Sequence, residues 1–206
     1  MSSQPGLRER KKQQTRETIA RAARELFAER GYHETTLSEI AEAADVSTRT
    51  IFAYFPSKED ILFHNFAVMR ESLLHALAER PEGEDALETV RTFILTLNER
   101  EESEHDERLR VCVDSDEILR TRMRARIAQL EDLLAPEIAK DLHAAPDDLR
   151  PQIVAASLTA AFNVLAERGR GSTVKQKSTA DIALLIDPII TFLRGGLEAL
   201  KEPRAR

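Results

Sequence analysis

Residues 36–58, TLSEIAEAADVSTRTIFAYFPSK, contain two short helical patterns that meet at a tight corner. The first pattern repeats apolar residues at helical spacing from Thr36 to Ala44. Ser47 is a good N-cap for the second helix, and Pro56 should end it, because the residue before a proline is pushed out of helical geometry. Two short helices joined in this way describe a helix-turn-helix, although a generic helical hairpin has the same apolar spacing.

The start of the second predicted helix carries a run of polar residues from Ser47 to Thr50. Side chains and backbone N–H groups at such a place can meet DNA phosphates or base edges. The arginine fork matches the edge of guanine, so Arg49 is the first candidate for a base contact, with Thr48 and Phe52 as second choices. This polar run favours a DNA-binding helix over a plain hairpin.

The same stretch resembles the signature of the TetR family of transcriptional regulators, and the resemblance covers residues 8–66 closely. It is carried by Thr18, Ile19, Ala22, Ala23, Leu26, Phe27, Gly31, Tyr32, Thr35, Thr36, Leu37, Ile40, Ala41, Ala44, Asp45, Val46, Ser47, Thr50, Ile51, Phe52, Ala53, Tyr54, Phe55, Lys58 and Leu62. Asp45 stands where the family usually has glycine, but aspartate tolerates left-handed geometry, so we expect a normal turn. Phe52 stands where the family often has tyrosine. A phosphate-contacting hydroxyl is therefore missing, and a thymine methyl group is the more plausible partner.

Further DNA contacts follow from the polar run and the resemblance. The residues expected to fix the docking through phosphates or helix caps are Thr36, Ser47, Tyr54 and Lys58, and Thr50 joins the DNA-binding set. For Lys58 the resemblance implies a phosphate contact, although simple solvent exposure also accounts for a lysine there. Residues 7–16, LRERKKQQTR, form a basic arm whose Arg10, Lys11 and Lys12 would follow the phosphate backbone or the minor groove. A solvated helix start has the same composition.

The amino-acid composition limits the classes of protein to which this chain can belong. The 206 residues are 42% hydrophobic and 5% aromatic, which fits a soluble helical protein of one or two domains. No apolar run reaches the length of a membrane span, no signal-peptide pattern is present, and the single cysteine suits a reducing compartment, so we expect a cytoplasmic location and no membrane partner. The net charge of −6 lies entirely beyond residue 60, because residues 1–60 are neutral. An acidic body behind a locally basic end would orient the chain on DNA.

Beyond residue 60 the pattern is helical, and we predict an all-α chain of about nine helices. The predicted parts are a basic arm at 1–14, a three-helix helix-turn-helix domain at 15–56, and a C-terminal helical ligand-binding and dimerisation domain at 57–206. The first helix should cover residues 15–30. In the C-terminal domain, helices are predicted near 57–79, 85–101, 109–113, 115–123, 124–142 with a kink or break at Pro136, 147–168 and 179–200, with a flexible loop at 169–178.

The last two predicted helices are the most apolar, and the apolar residues of 179–200 point in more than one direction. One face of that helix therefore has a partner beyond the core of the monomer, unless all of it is interior core. One helix-turn-helix touches few base pairs. Pairing two of them on half-sites about 34 Å apart multiplies specificity, which favours a homodimer formed through the last two helices.

The segments LRVCVDSDEILRTRM and DDLRPQIVAASLTAAFNVLAERGR are similar to the acyl-CoA-like ligand-binding, mycofactocin-regulator-type subgroup of the family. This resemblance covers about residues 85–200 and implies a small-molecule effector, such as a long acyl thioester or another elongated apolar molecule. Candidate pocket residues are Phe66, Met69, Phe93, Leu97, Cys112, Met123, Leu130, Phe162 and Asn163. Core packing also explains the apolar ones. Asn163 is the sharpest candidate, because a buried amide needs a partner.

Residues and resemblance together imply a homodimeric, ligand-responsive regulator of a palindromic operator in double-stranded DNA. The family default is a repressor, and activation stays open. We expect no catalytic residue, metal or cofactor. An architectural DNA-binding protein without an effector is an alternative, but the long helical body exceeds what dimerisation requires. A small helical enzyme using Cys112, or His64 with His75, is the remaining alternative, and no catalytic or metal spacing supports it.

Overall fold

The computed structural model describes residues 6–98, 104–169 and 178–199. Over these residues the chain forms eleven α-helices and no strand, so the predicted all-α fold is confirmed and the expected number of about nine helices is too low. The helices are α1 (Leu7–Arg30), α2 (Leu37–Ala43), α3 (Thr48–Tyr54), α4 (Lys58–Leu62), α5 (His64–Ala78), α6 (Ala86–Asn98), α7 (Glu104–Ser115), α8 (Glu117–Ala128), α9 (Glu131–Asp141), α10 (Arg150–Gly169) and α11 (Thr179–Ala199).

The basic arm is part of α1. The first helix begins at Leu7 and not near Thr15, so residues 7–14 of the predicted arm are helical, and their contact with DNA stays a prediction. Most of these residues are good helix formers, and neither Gly nor Pro interrupts them. The Gln13 amide donates a hydrogen bond to the Glu17 carboxylate at 2.9 Å, four residues on, which supports the helix across the expected boundary.

Two helices end at positions that the sequence analysis did not predict. The helix expected at 57–79 is split, because Phe63 leaves helical geometry (ψ 16°) and buries its ring. The helix expected at 124–142 breaks near Leu130, and not at Pro136. Since α9 starts at Glu131, the proline falls in the second turn of a new helix. The segment is therefore interrupted as predicted, but near Leu130 and not at Pro136.

The described residues form two compact units. The first contains residues 6–68 and 104–120, and the second contains the other described residues. In the first unit α1 packs against α2, α4 and α7, and in the second α10 packs against α9 and α11. The core of the first unit is formed mainly by Ile19, Ala23, Phe27, Ile40, Ile51, Phe55, Ile61 and Leu62. These units are defined by how the chain packs and not by what each part does. The predicted division at residue 56, between a DNA-binding and a ligand-binding domain, therefore stays a prediction.

In the second unit, ion pairs link α11 to α6 and to Asp85, the residue just before α6. The Arg194 guanidinium donates to Asp85 at 2.9 Å and to Glu88 at 3.1 Å, and Arg91 donates to Asp187 at 2.6 Å. Burial acts to raise the pKa of Asp85, but hydrogen bonds from Arg194 and from backbone N–H groups outweigh it and hold that pKa below its ordinary value. These contacts fix which face of α11 points into the unit.

The opposite face of α11 is apolar and exposed in the single chain. Leu184 and Phe192 are 75% and 77% exposed, whereas Ile186, Ile190 and Leu193 are buried. Leu184, Pro188 and Phe192 follow one another at intervals of four residues and therefore share one side of the helix. On α10, Ile153 and Val164 are exposed as well. We call this set of residues on α10 and α11 the α10–α11 face.

Parts of four predicted segments lie outside the described residues. They are residues 1–5 of the predicted basic arm, the end of the helix predicted near 85–101, residues 170–177 of the predicted loop, and residues 200–206 of the predicted C-terminal domain. None of the described helices combines the length and the apolar character that a bilayer crossing requires.

Candidate nucleic-acid interface

Side-chain caps fix the starts of α2 and α3. The Thr36 hydroxyl accepts the backbone N–H of Glu39 at 3.2 Å, while the Glu39 carboxylate accepts the backbone N–H of Thr36 at 2.8 Å. This reciprocal pair is a capping box, and the backbone hydrogen bond from Thr36 lowers the pKa of Glu39. The Ser47 hydroxyl accepts the backbone N–H of Thr50 at 3.0 Å. The predicted cap at Ser47 is confirmed, and Thr36 also serves as a cap.

The corner between α2 and α3 has the left-handed turn expected at Asp45. Its φ is +51°, one of two positive values among the described non-glycine residues. The backbone N–H of Val46 donates to the carbonyl of Ala41 at 2.9 Å and closes the turn. Aspartate therefore takes the backbone conformation for which glycine is the usual residue.

Asp45→Val is expected to lower the free energy of unfolding by about 1–2 kcal/mol, because a β-branched residue is strained in left-handed geometry. Urea unfolding followed by circular dichroism measures the change. Glu42→Val, at an exposed position inside α2, is the matched control and should cost less than about 0.7 kcal/mol. Equal losses in the two variants would show that the turn tolerates any residue.

The inner side of α3 is locked into the first unit. Ile51 is fully buried, and Phe55 leaves the helix in extended geometry (φ −134°, ψ 115°) just before Pro56, as expected. The Phe55 ring lies between the guanidinium of Arg16, 4.9 Å from its centroid, and the ring of His64, edge-on at 5.4 Å. Because these contacts hold one side of α3, its other side is presented in a fixed orientation.

The outer side of α3 faces solvent. Arg49 and Ala53 are exposed, and Phe52 is 55% exposed. Of the other predicted DNA-binding residues, Thr36 and Ser47 are exposed, and Thr48, Thr50 and Tyr54 are half-buried beside them. These predicted residues thus lie on α3 and at the starts of α2 and α3, and the exposed side of α3 carries a guanidinium group and an aromatic ring.

Lys58 lies at the start of α4 and has internal partners that the sequence did not predict. Its ammonium group donates to the backbone carbonyls of Tyr32 at 2.7 Å and of Thr35 at 2.8 Å, and it lies 4.3 Å from the centroid of the Tyr32 ring. Burial lowers the pKa of this lysine. Two of the three ammonium N–H bonds are used inside the protein, so at most one remains for a phosphate oxygen.

His33 and Asp116 form a contact that joins the loop after α1 to the start of α8. His33 Nε2 and Asp116 Oδ2 are 2.5 Å apart, and the Asp116 carboxylate also accepts the backbone N–H groups of Ile118 and Leu119. The hydrogen bond with His33 lowers the pKa of Asp116. Because 83 residues separate the pair, no local sequence signal identifies it.

The remaining predicted site residues are divided between the two units. Arg10, Lys11 and Lys12 are exposed in the first two turns of α1. Of the predicted pocket residues, Phe66 and Cys112 belong to the first unit and Met69, Phe93, Leu97, Met123, Leu130, Phe162 and Asn163 to the second; Leu130 is buried and the others are half-buried. Cys112 lines an open cavity of about 510 Å³ with residues of α1. A ligand pocket formed by these side chains stays a prediction.

Comparison with known proteins decides the family. Residues 19–64 match the family described as bacterial regulatory proteins, tetR family, and residues 83–198 match the MftR C-terminal domain. The putative mycofactocin biosynthesis transcriptional regulator MftR of Mycobacterium tuberculosis is 30% identical over 149 residues, which are 71% of this chain and 75% of that protein. The chain belongs to the TetR family. It is a DNA-binding transcriptional regulator, and α2 and α3 are its helix-turn-helix.

Two further relatives of this TetR-family regulator show how the similarity is distributed. The regulator TcmR of Streptomyces glaucescens is 44% identical over 86 residues, which are 42% of this chain and only 38% of TcmR. The structure of FadR from Thermus thermophilus, a TetR-family repressor in complex with lauroyl-CoA, is 30% identical and covers 93% of this chain and 98% of its own, with a TM-score of 0.54.

Proposed function

We propose that this TetR-family regulator is a homodimeric, cytoplasmic repressor that leaves its palindromic operator when an elongated apolar ligand, such as a fatty acyl thioester, binds its second unit. The observation that carries the proposal is α3: its two ends are fixed, its inner side is buried, and its outer side offers Arg49, Phe52 and Ala53 to solvent. A rigid helix with such an outer side fits the major groove of DNA.

The DNA contacts divide by chemistry. Arg49 contacts a guanine edge, with Thr48 and Phe52 beside it on neighbouring base pairs. Thr50 and Tyr54 contribute hydroxyl groups toward the sugar-phosphate backbone, while Thr36, Ser47 and Lys58 mainly fix the frame that presents α3. Arg10, Lys11 and Lys12 add sequence-independent attraction to phosphates from the start of α1.

The α10–α11 face supports the dimer. Its exposed leucine and phenylalanine side chains would leave water in a pair of chains, and each buried side chain of this size contributes about 1.5–3 kcal/mol. Gly195 and Gly196 are exposed on α11, and added Cβ atoms there would meet no atom of the same chain. Two helices can approach closely at such positions, which favours a symmetric contact with a second copy.

The acyl-type effector is supported by similarity and by the composition of the body. The solved relative with lauroyl-CoA covers nearly the whole chain, and the second unit is rich in apolar helix. The chain passes between the two units within α5 and α8. A ligand that prefers one arrangement of those helices would shift the equilibrium between operator-bound and released protein.

Selection from a random pool of duplex DNA by the full-length protein tests the proposal. We expect enrichment of an inverted repeat whose half-sites are about one helical turn apart. Adding lauroyl-CoA should then weaken binding of the selected duplex by about 5–150-fold in fluorescence anisotropy, and it should raise the melting temperature of the free protein. Coenzyme A without an acyl chain is the control and should do neither.

Three results would contradict the proposal. If the selected duplexes share no common sequence, the proposed binding to a specific operator is wrong. Thermal stabilisation by lauroyl-CoA without any loss of DNA affinity would leave DNA binding intact and refute release by this ligand class, because a ligand with equal affinity for both states shifts nothing. Operator binding that no acyl thioester affects, with no thermal shift, would favour an architectural role without an effector.

A further inference from the structure

Arg16 is a half-buried arginine in the first half of α1. Its guanidinium group lies over the ring of Phe55, 4.9 Å from the centroid, and Phe55 itself is 1% exposed. The Nε atom of Arg16 is buried and has no hydrogen-bond partner among the described residues. Buried polar groups in folded proteins are nearly always paired, so this unpaired group calls for an explanation.

Neighbouring acidic side chains do not supply the partner. Glu17, the next residue on α1, accepts a hydrogen bond from the Gln13 amide at 2.9 Å and lies 3.4 Å from His64 Nε2. Within the described residues, Arg16 forms neither a hydrogen bond nor an ion pair with a carboxylate. The face of the Phe55 ring attracts the cation, but it does not replace an acceptor for the five guanidinium N–H bonds.

The contact with Phe55 places the Arg16 cation beside the end of α3. Phe55 is the C-cap of that helix, so the guanidinium and α3 belong to one packed cluster of the first unit. Arg8 and Lys12 are exposed and precede Arg16 at intervals of four residues, so the three cations follow one side of α1. A line of positive charge that ends beside α3 is complementary to the phosphates of a DNA strand.

We propose that the terminal N–H groups of Arg16 donate to one DNA phosphate in each half-site, at the edge of the major groove where α3 ends; this inference rests on the proposed operator binding. Arginine forms charge-assisted hydrogen bonds with phosphate oxygens, and such contacts fix the register of a protein on the duplex without reading its sequence. Because the guanidinium already lies against a buried ring, little side-chain freedom is lost when the phosphate binds.

A purely structural role for Arg16 predicts a different dependence on salt. An arginine that only packs against Phe55 stabilises the first unit, and its loss lowers the melting temperature without changing how many counterions DNA binding releases. An arginine that binds a phosphate does release counterions. Its loss therefore lowers the slope of log affinity against log salt concentration by about 0.9 for each contact.

Arg16→Met keeps an unbranched stem against Phe55 and removes the charge. On the duplex that the full-length protein selects from the random pool, we expect binding to weaken by about tenfold per half-site. The salt slope should fall by about 0.9 for each chain of the dimer. Discrimination between the selected duplex and its single-base variants should stay as in the wild type, because a phosphate contact carries no sequence information.

Two further variants control for charge and geometry. Arg16→Lys should keep the salt slope, because the charge remains, and should lose part of the affinity with the planar fork. Arg21→Met removes the same charge from an exposed position on α1 and should leave both the affinity and the slope close to those of the wild type. Circular dichroism and thermal melting define a temperature at which all the variants are folded, and the titrations are made there.

Methylphosphonate scanning of the same duplex locates the contact. Each substitution removes the charge of one phosphate and leaves the bases intact. One position per half-site should weaken binding by the wild type and have no effect on binding by Arg16→Met. If the uncharged variant does not fold, Arg16→Lys supplies the comparison, because its flexible ammonium group should respond less than the wild type at that phosphate.

The outcomes separate this inference from the proposed function. If no duplex is enriched, operator binding is wrong and the phosphate contact is wrong with it. If a duplex is enriched but Arg16→Met keeps the wild-type slope and the wild-type methylphosphonate profile, the phosphate contact alone is wrong and the arginine serves only the fold. Loss of base discrimination in Arg16→Met would also overturn the contact, because it would show that the side chain acts through the position of α3.

Discussion

Leu184→Glu combined with Phe192→Glu is expected to turn the protein into monomers and to weaken operator binding by at least about 100-fold. The two substitutions place four carboxylates opposite one another in the α10–α11 face of the proposed dimer and remove its largest exposed apolar groups. Operator affinity falls with the dimer, because the second half-site then no longer binds as an intramolecular event, which is worth about 10²–10⁴ in affinity.

Light scattering during size exclusion measures the mass, which should fall from twice the chain mass of 23.2 kDa to a single copy. Both side chains are more than 70% exposed in the single chain, so the fold should survive, with changes in helical content too small to explain lost binding. Ile118→Glu, at another exposed apolar position, should leave the dimer intact. A dimer of unchanged mass in the double variant would place the interface elsewhere.

The helix-turn-helix could be predicted closely from sequence because its determinants are local. The cap at Ser47, the left-handed turn at Asp45 and the end at Phe55 each depend on residues within a few positions of one another. The exposure of Arg49 and Phe52 follows from the same helical period that buries Ile51. Where one residue type has one strong local preference, sequence and structure agree.

Features that depend on distant contacts were not predictable in the same way. Lys58 is held by carbonyl groups 23 and 26 residues upstream, and His33 meets Asp116 across 83 residues. Phe63, at the break between α4 and α5, is buried in the first unit, and no proline or glycine marks this position in the sequence. These contacts join the loop at 31–36 to α4 and to the start of α8. The support around α3 therefore depends on tertiary contacts between residues far apart in the sequence.

The loop that precedes α2 is held at two places in the support around α3. His33 with Asp116 joins it to the start of α8. Lys58 holds the same loop from α4. Contacts from two other parts of the first unit therefore hold the loop that precedes α2.

Arg49→Ala is expected to weaken operator binding by about 1–3 kcal/mol per half-site and to remove the preference for guanine at one position in each half-site. Ser47 and Thr50 cap α3 independently of this side chain, so the helix should remain folded. Anisotropy titrations of the selected duplex and of duplexes with G·C replaced by A·T at single positions measure both effects. The wild type should discriminate at that position, and the variant should bind both duplexes alike.

Arg49→Lys separates charge from geometry at the same position. A lysine keeps the positive charge but loses the planar fork that meets two acceptors of guanine, so affinity should fall less than in Arg49→Ala while discrimination is still lost. The dependence of affinity on salt should stay close to that of the wild type. Arg21→Ala, which removes a charge from an exposed position on α1, should preserve discrimination. Guanine preference that persists in both Arg49 variants would transfer base recognition to other residues of α3, with Thr48 the first to examine.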